Sequence, residues 1–308
     1  MKISVVATCF NNENNITEFL NVTRKALEQL GHDFEVIVVD DGSSDASWQI
    51  LTSFSAQDGR FRGIRLSRNF GQHPAILAGL DASSGDVTVL IDSDMDDDPR
   101  LIQTLVQPII LNEVDIVLTR SFDTGRQHVS SRLFHKLVQD STQSPHSLGI
   151  GTYRAFNARV TRSLREYRDH STLYGPLSTQ IGFRQMVLQV PHHGTPRSGS
   201  NYNFKMRLRL AWPVLLNEVG LPLKLVLTAV MFMVAAVLLL GLIAVGRFLG
   251  GGGDPSSTTS LVFLVLTINQ VLLGVGIAII SLYVRTILRE TLRRPRFHIA
   301  DDTAVRDQ

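Results

Sequence analysis

The sequence predicts an α/β domain on a largely parallel sheet, followed by two helices long enough to cross a membrane. Three observations carry that expectation. Short runs rich in Val and Ile alternate with helically periodic segments over the first two hundred residues, as in a sheet covered by helices. Polar clusters fall at the ends of those runs, where ligands bind in open parallel sheets. Two uncharged apolar stretches then occupy the last third of the chain.

Ile3–Cys9, Phe34–Val39, Ile64–Leu66, Val87–Ile91 and Ile116–Leu118 read as buried strands. Between them, Asn15–Leu30 places Ile16, Phe19, Leu20, Thr23 and Leu27 on one helical face. Ala46–Phe54, Pro74–Ala82 and Pro99–Leu111 read as helices too, with Pro74 and Pro99 suited to a first turn. Beyond residue 120 the pattern loosens. Ser130–Gln139 reads as amphipathic, Gly151–Phe156 and Met186–Val190 as short strands, and Gly194–Ser200 as a flexible loop.

The most informative stretch is VTVLIDSDMDDDP, Val87 to Pro99. Side chains alternate along a strand, so Asp92 and Asp94 point the same way with Ser93 between them, and Asp96, Asp97 and Asp98 follow. Paired carboxylates repel unless a cation lies between them. Hard oxygen ligands suit Mg²⁺ or Mn²⁺, and Mg²⁺ is commonly held by one or two carboxylates plus substrate phosphates.

Leu225–Gly246 and Ser260–Val284 are apolar runs of roughly 22 and 25 residues, more than the roughly 20 a membrane span needs. The Gly- and Ser-rich link Arg247–Thr259 makes the pair a hairpin. Lys205, Arg207, Arg209 and Lys224 precede the first span, and Arg285, Arg289, Arg293, Arg294 and Arg296 follow the second. The positive-inside rule then places the N-terminal part and the C-terminal tail in the cytoplasm. The chain enters a strand at Ile3 with no basic leader, and its one cysteine, Cys9, excludes an intramolecular disulfide. The basic, Trp-containing segment between Asn203 and Asn217 reads as a helix lying in the headgroup layer. The expected divisions are 1–200 for the α/β domain, 201–220 for the interfacial segment, 221–284 for the hairpin and 285–308 for a basic tail. A net charge of +2 is too small to suggest a nucleic-acid binder; anionic lipid better explains the flanking bases.

Three ordered motifs carry a resemblance: IVVDDGSSDAS from Ile37, RNFGQHPAILAGL from Arg68 and GDVTVLIDSDMDDDP from Gly85. Together with the hairpin and the RPRFHI tail, they resemble the family 2, GT-A-type glycosyltransferases that act on polyprenyl phosphates. The bacterial undecaprenyl-phosphate sugar transferases, including the 4-deoxy-4-formamido-arabinose transferase, are the nearest in pattern. O-antigen glucosyl transferases and dolichyl-phosphate mannose synthases are more distant. The resemblance implies a GT-A domain, metal-dependent inverting transfer from a nucleotide-diphosphate sugar (a UDP-sugar favoured) to undecaprenyl phosphate, and a homo-oligomer.

Carried onto this sequence, the resemblance assigns donor binding to Thr8, Phe10, Asn11, Glu13, Asp40, Asp41, Gln72, Asp92 and Ser93. It assigns metal binding and catalysis to Asp92 and Asp94. Thr8, Phe10 and Asn12 stand where proline, tyrosine and glutamate are usual, and Asp96-Asp97-Asp98-Pro99-Arg100 departs from a QDPPE-like stretch. Gly151 and Thr152 lie where many relatives carry an aspartate before the arginine that matches Arg154. Arg120, Arg126, Arg197, Ser200 and Tyr202 are candidates for the acceptor phosphate, since Arg forks match phosphate oxygens. His73, beside Gln72, is a candidate to line the donor pocket. The alternatives are a membrane-tethered nucleotide-sugar binder without turnover, a glycosyltransferase using another lipid, and a processive synthase, whose QxxRW motif is missing around Trp48 and Trp212.

Overall fold

The computed structural model describes residues 1–121, 150–167, 181–190, 221–249, 255–292 and 295–304. The chain divides into two compact units, Met1–Ser200 with Pro295–Gln308, and Asn201–Arg294.

The first unit begins with alternating strands and helices: β1 (Lys2–Cys9), α1 (Ile16–Leu30), β2 (Asp33–Asp40), α2 (Ser47–Gln57), β3 (Phe61–Leu66), α3 (Gln72–Ala82) and β4 (Val87–Asp92). A 3₁₀ turn at Pro99–Leu101 leads into α4 (Ile102–Ile110), followed by β5 (Ile116–Ser121), β6 (Ile150–Asn157), α5 (Ala158–Glu166) and β7 (Gln185–Val190). The chain returns after the apolar helices to form β8 (Ile299–Asp302). The sheet order is β7-β5-β6-β4-β1-β2-β3-β8. Neighbours pair in parallel except where β6 meets β4 and β5, and where β8 meets β3.

Alternation along the strands builds two cores. Val5, Ala7, Val36, Val38, Val89 and Ile91 face α1, α2 and α4. Val6, Leu90, Ile116 and Leu118 face Ile76, Leu77 and Leu80 of α3, with Val160 and Leu164 of α5. Ile37, Val39, Ile64 and Leu66 meet Ala75 and Ala78 of α3. Both faces are covered, which is why the strands read as unbroken Val and Ile runs. The order reverses at β1, which sits between β4 and β2, and this switch point is where such sheets bind ligands.

Two elements differ from the sequence expectation. α5, absent from it, is capped by Asn157, whose side chain accepts the Val160 N–H at 2.9 Å. The tail, expected as a basic segment without a strand, closes the edge of its own sheet. Leu66 is opposite Ile299 and Ile64 opposite Asp302. Arg62 grips Asp302 through Nε at 2.9 Å and Nη2 at 2.5 Å, and Gly63 exchanges hydrogen bonds with Thr303. The physical reason is the unpaired backbone of β3, an edge that needs covering.

The second unit contains α6 (Leu221–Leu249) and α7 (Pro255–Thr291). The windows Val226–Ile243 and Leu266–Arg285 have mean hydropathies of 2.8 and 1.8, with none of either window buried. Long apolar helices left uncovered by their own chain are what a bilayer, not a protein core, would surround. The segment 201–220 lies outside the described residues.

Candidate active site

The switch point opens a cavity of about 430 Å³, within the range of small-molecule sites. Among its lining residues are Thr8, Phe10, Asn11, Asp41, Gln72, Asp92, Ser93 and Asp94. All eight were expected from the sequence.

Thr8 and Asp92 are paired across β1 and β4, and the Thr8 hydroxyl donates to Asp92 Oδ1 at 2.8 Å. Gln72, the first residue of α3, donates Nε2 to Asp92 Oδ1 at 2.8 Å and to Oδ2 at 3.0 Å. Ser93 is buried, and its hydroxyl donates to the Thr8 carbonyl at 2.8 Å. Asp94 is exposed to the cavity, and its Oδ1 accepts the Asp96 N–H at 3.1 Å. The loop then passes through Met95 at φ 67°, a left-handed conformation costly for a residue with a Cβ.

On the β1 side, Asn11 adopts φ 48°, which Asn tolerates better than most residues. Its N–H donates to Ser43 Oγ, and its Oδ1 accepts the Ser44 N–H, each at 2.9 Å. Asn12 was legible only as a departure from the family pattern, yet it ties the two loops together. Its Nδ2 donates to the Ser93 carbonyl at 2.7 Å and to Ser93 Oγ at 3.1 Å. Phe10 leaves its ring at the rim, 49% exposed. Cys9 also lines the cavity; burial first and Asp40 second push its thiol up to about 11, so it stays protonated at neutral pH.

Two of the expected donor residues, Asp40 and Glu13, are not among the cavity lining. Asp40 is wholly buried; its Oδ1 accepts the Ser43 N–H at 3.1 Å, and its Oδ2 lies 3.4 Å from Arg65 Nε. Glu13 accepts the Ala46 N–H at 2.9 Å and gives its own N–H to Asp45, joining the first loop to the start of α2. Asp41 reaches the lining, but both its oxygens are taken: Oδ1 by the Phe70 N–H and Oδ2 by the Gly71 N–H, each at 2.8 Å. Burial raises its pKa despite those two bonds. Asp40 and Asp41 thus shape the turns around the cavity.

His73, behind Gln72, has its imidazole pKa lowered by burial first, then by Arg296 and Arg154, with Asp92 opposing. Arg154 is itself buried on β6; its Nε donates to the Gly151 carbonyl at 2.8 Å, and burial lowers its pKa to about 10. Arg120 lies on β5, outside the cavity lining, half-buried, and its Nε is buried without a hydrogen-bond partner among the described residues. Arg126, Arg197, Ser200 and Tyr202 lie outside the described residues.

Residues 4–188 match the family model described as glycosyl transferase family 2. The chain belongs to that family. It is accordingly a glycosyltransferase, and its mixed sheet with the switch-point cavity is the GT-A arrangement. A protein of Pseudomonas fluorescens (strain Pf0-1) named undecaprenyl-phosphate 4-deoxy-4-formamido-L-arabinose transferase is 29% identical over 306 residues, covering 96% of this chain and 88% of its own. The protein of that name from Proteus mirabilis (strain HI4320) is 27% identical over 314 residues, covering 99% and 95%. Among solved structures, mannosyl-3-phosphoglycerate synthase from Rubrobacter xylanophilus superposes over 70% of this chain and 72% of its own, with a TM-score of 0.50 at 13% identity. That last likeness shows the fold. Within the family 2 frame, Asp92-Ser93-Asp94 stands at the end of β4, facing the first loop across the switch point.

Proposed function

We propose that this family 2 enzyme transfers a sugar from a nucleoside diphosphate, with a UDP-sugar favoured, to undecaprenyl phosphate at the cytoplasmic face of the membrane. The observation that carries the reading is the near full-length likeness to relatives whose names specify that acceptor. The likeness takes in the apolar helices as well as the catalytic domain.

Topology supports it. β8 follows both apolar helices in the sequence and is hydrogen-bonded to β3, so tail and catalytic domain share one side of the membrane. Two crossings satisfy that condition and one does not. The bases flanking the spans make the shared side the cytoplasm.

The chemistry suits the residues. A phosphate monoester has a second pKa near 6, so the acceptor is largely dianionic at neutral pH and needs no general base. A missing carboxylate near Thr152 is then no obstacle. A phosphate oxygen attacks the anomeric carbon, the bond from that carbon to the diphosphate oxygen breaks, and attack from the opposite face inverts the configuration. The exposed Phe10 ring offers the base a stacking surface. Arg120, half-buried on β5, is the described candidate for the acceptor phosphate through its guanidinium fork.

A divalent cation fits the donor set. Among the described residues no group of three or more His, Cys, Asp or Glu side chains is placed to hold a metal; Mg²⁺ is commonly held by one or two carboxylates plus substrate phosphates, which the donor would supply. Asp94 is the residue that would hold it, supported by Asp92, which the Gln72 and Thr8 donors orient. When bound, such an ion neutralises charge on the departing diphosphate.

The test uses full-length protein in nanodiscs with undecaprenyl phosphate, Mn²⁺ or Mg²⁺, and panels of UDP-, GDP- and dTDP-sugars. The expected result is acceptor-dependent nucleotide release with a lipid-linked sugar product, reduced by about 100-fold or more in Asp94→Ala. Nucleotide release with no lipid-linked product from any donor would overturn the acceptor assignment.

A further inference from the structure

We infer that the C-terminal segment is part of the donor site: Phe297 and His298 are positioning residues that hold the β3–α3 turn, and through it Gln72, against Asp92. The inference rests on the donor-binding reading of the switch-point cavity. It does not depend on which lipid accepts the sugar.

The turn, residues 67–71, is held from two sides. On the inner side the Asp41 carboxylate takes the N–H groups of Phe70 and Gly71. Gly42 lies so close that a Cβ there would stand 2.5 Å from the Arg68 carbonyl carbon. On the outer side lies the tail. The His298 carbonyl accepts the Ser67 N–H at 2.9 Å, and its ring sits 6.3 Å from that of Phe70. Arg68 places its guanidinium 4.1 Å over the same Phe70 ring. Phe297 packs against both apolar clusters that α3 covers, one with Ile76 and Leu77 and the other with Ala75 and Ala78. The residue before it, Arg296, acts electrostatically on His73.

Gln72 follows the turn directly and opens α3, and its amide is what reaches Asp92. The path from tail to carboxylate is therefore short and continuous. The His298 carbonyl continues the pairing of β8 with β3, whereas the side chains of Phe297 and His298 take no part in that backbone pairing. That separates a positioning role from edge cover alone. A shift of about 1 Å in a positioned group is enough to impair catalysis.

The experiment compares Phe297→Ala, His298→Ala and Phe297→Leu with Asp302→Ala, which releases Arg62 and loosens β8 without touching the turn. Full-length proteins in nanodiscs are followed by hydrogen–deuterium exchange and by titration with UDP and Mn²⁺. Phe297→Ala and His298→Ala are expected to speed exchange across residues 67–72 and to weaken UDP binding about tenfold, leaving β1 and β4 protected. Phe297→Leu should recover most of the affinity, and Asp302→Ala should affect β8 more than the turn. Wild-type exchange at residues 67–72 in both alanine variants would overturn the proposal. So would a loosened turn with wild-type UDP affinity. Exchange needs neither nucleotide nor acceptor, so its outcome stands even if the acceptor assignment fails.

Discussion

The Gln72 side-chain amide reaches both carboxylate oxygens of Asp92, at 2.8 and 3.0 Å. With the Thr8 hydroxyl on Oδ1, it fixes the first aspartate of the DSD sequence between β1, β4 and α3. Gln72→Glu replaces that donor with a second carboxylate, and two like charges in contact cannot both ionise comfortably. Its kcat/KM should fall by about two orders of magnitude at neutral pH, with partial recovery at higher Mn²⁺. A wild-type value would show that Gln72 does not orient Asp92.

Asp41 holds the neighbouring turn by accepting two backbone N–H groups. An amide has a single acceptor oxygen, so Asp41→Asn sets its NH₂ against one of those N–H donors. Leaving a buried donor unpaired costs about 1–3 kcal/mol. Thermal unfolding should show that loss, and donor KM should rise while acceptor KM stays near wild type. Equal changes in both constants would place Asp41 in general stability only.

Gly42 has φ +72° and faces the Arg68 backbone at a distance no Cβ can occupy. Gly42→Ala therefore combines left-handed strain with a backbone clash that no side-chain rotation relieves. A loss of about 3 kcal/mol follows, seen as a lowered Tm for the catalytic domain. An unchanged Tm would mean that the turn moves aside freely.

Glu35 tests the pH dependence of the sheet's opposite end. Burial pushes its pKa up, but hydrogen bonds from Lys2, Ser4 and Ser84 outweigh burial and hold it below the ordinary range. A carboxyl depressed in the folded state stabilises it above the unfolded pKa, and that stability is lost as pH falls through the folded value. Glu35→Gln should thus lower Tm most at neutral pH, with the gap to wild type closing below about pH 4. A gap that stays constant with pH would rule out the carboxylate as its source.

The first five strands and four helices were legible because each buries a repeating apolar pattern. α1 is the clearest case, with Ile16, Phe19, Leu20, Thr23 and Leu27 all buried as expected. Most of the cavity lining was legible as well, since polar residues gather at strand ends and the resemblance named their order. That backbone N–H groups engage Asp40, Asp41 and Glu13 was not. A carboxylate engaged by a substrate and one engaged by backbone N–H groups have the same letter in a sequence.

By itself, then, the sequence determined the strand and helix alternation, the apolar helices, and the acidic end of β4. These follow from local periodicity and composition, which need no distant partner. The tertiary structure alone decided the place of β8, because IADD carries no apolar alternation and forms a strand only where β3 leaves its backbone unpaired. It also decided that Asn12 reaches Ser93, 81 residues away, and that Gln72 reaches Asp92, 20 residues away. Such contacts depend on sheet order, and sheet order is settled by packing across the whole domain.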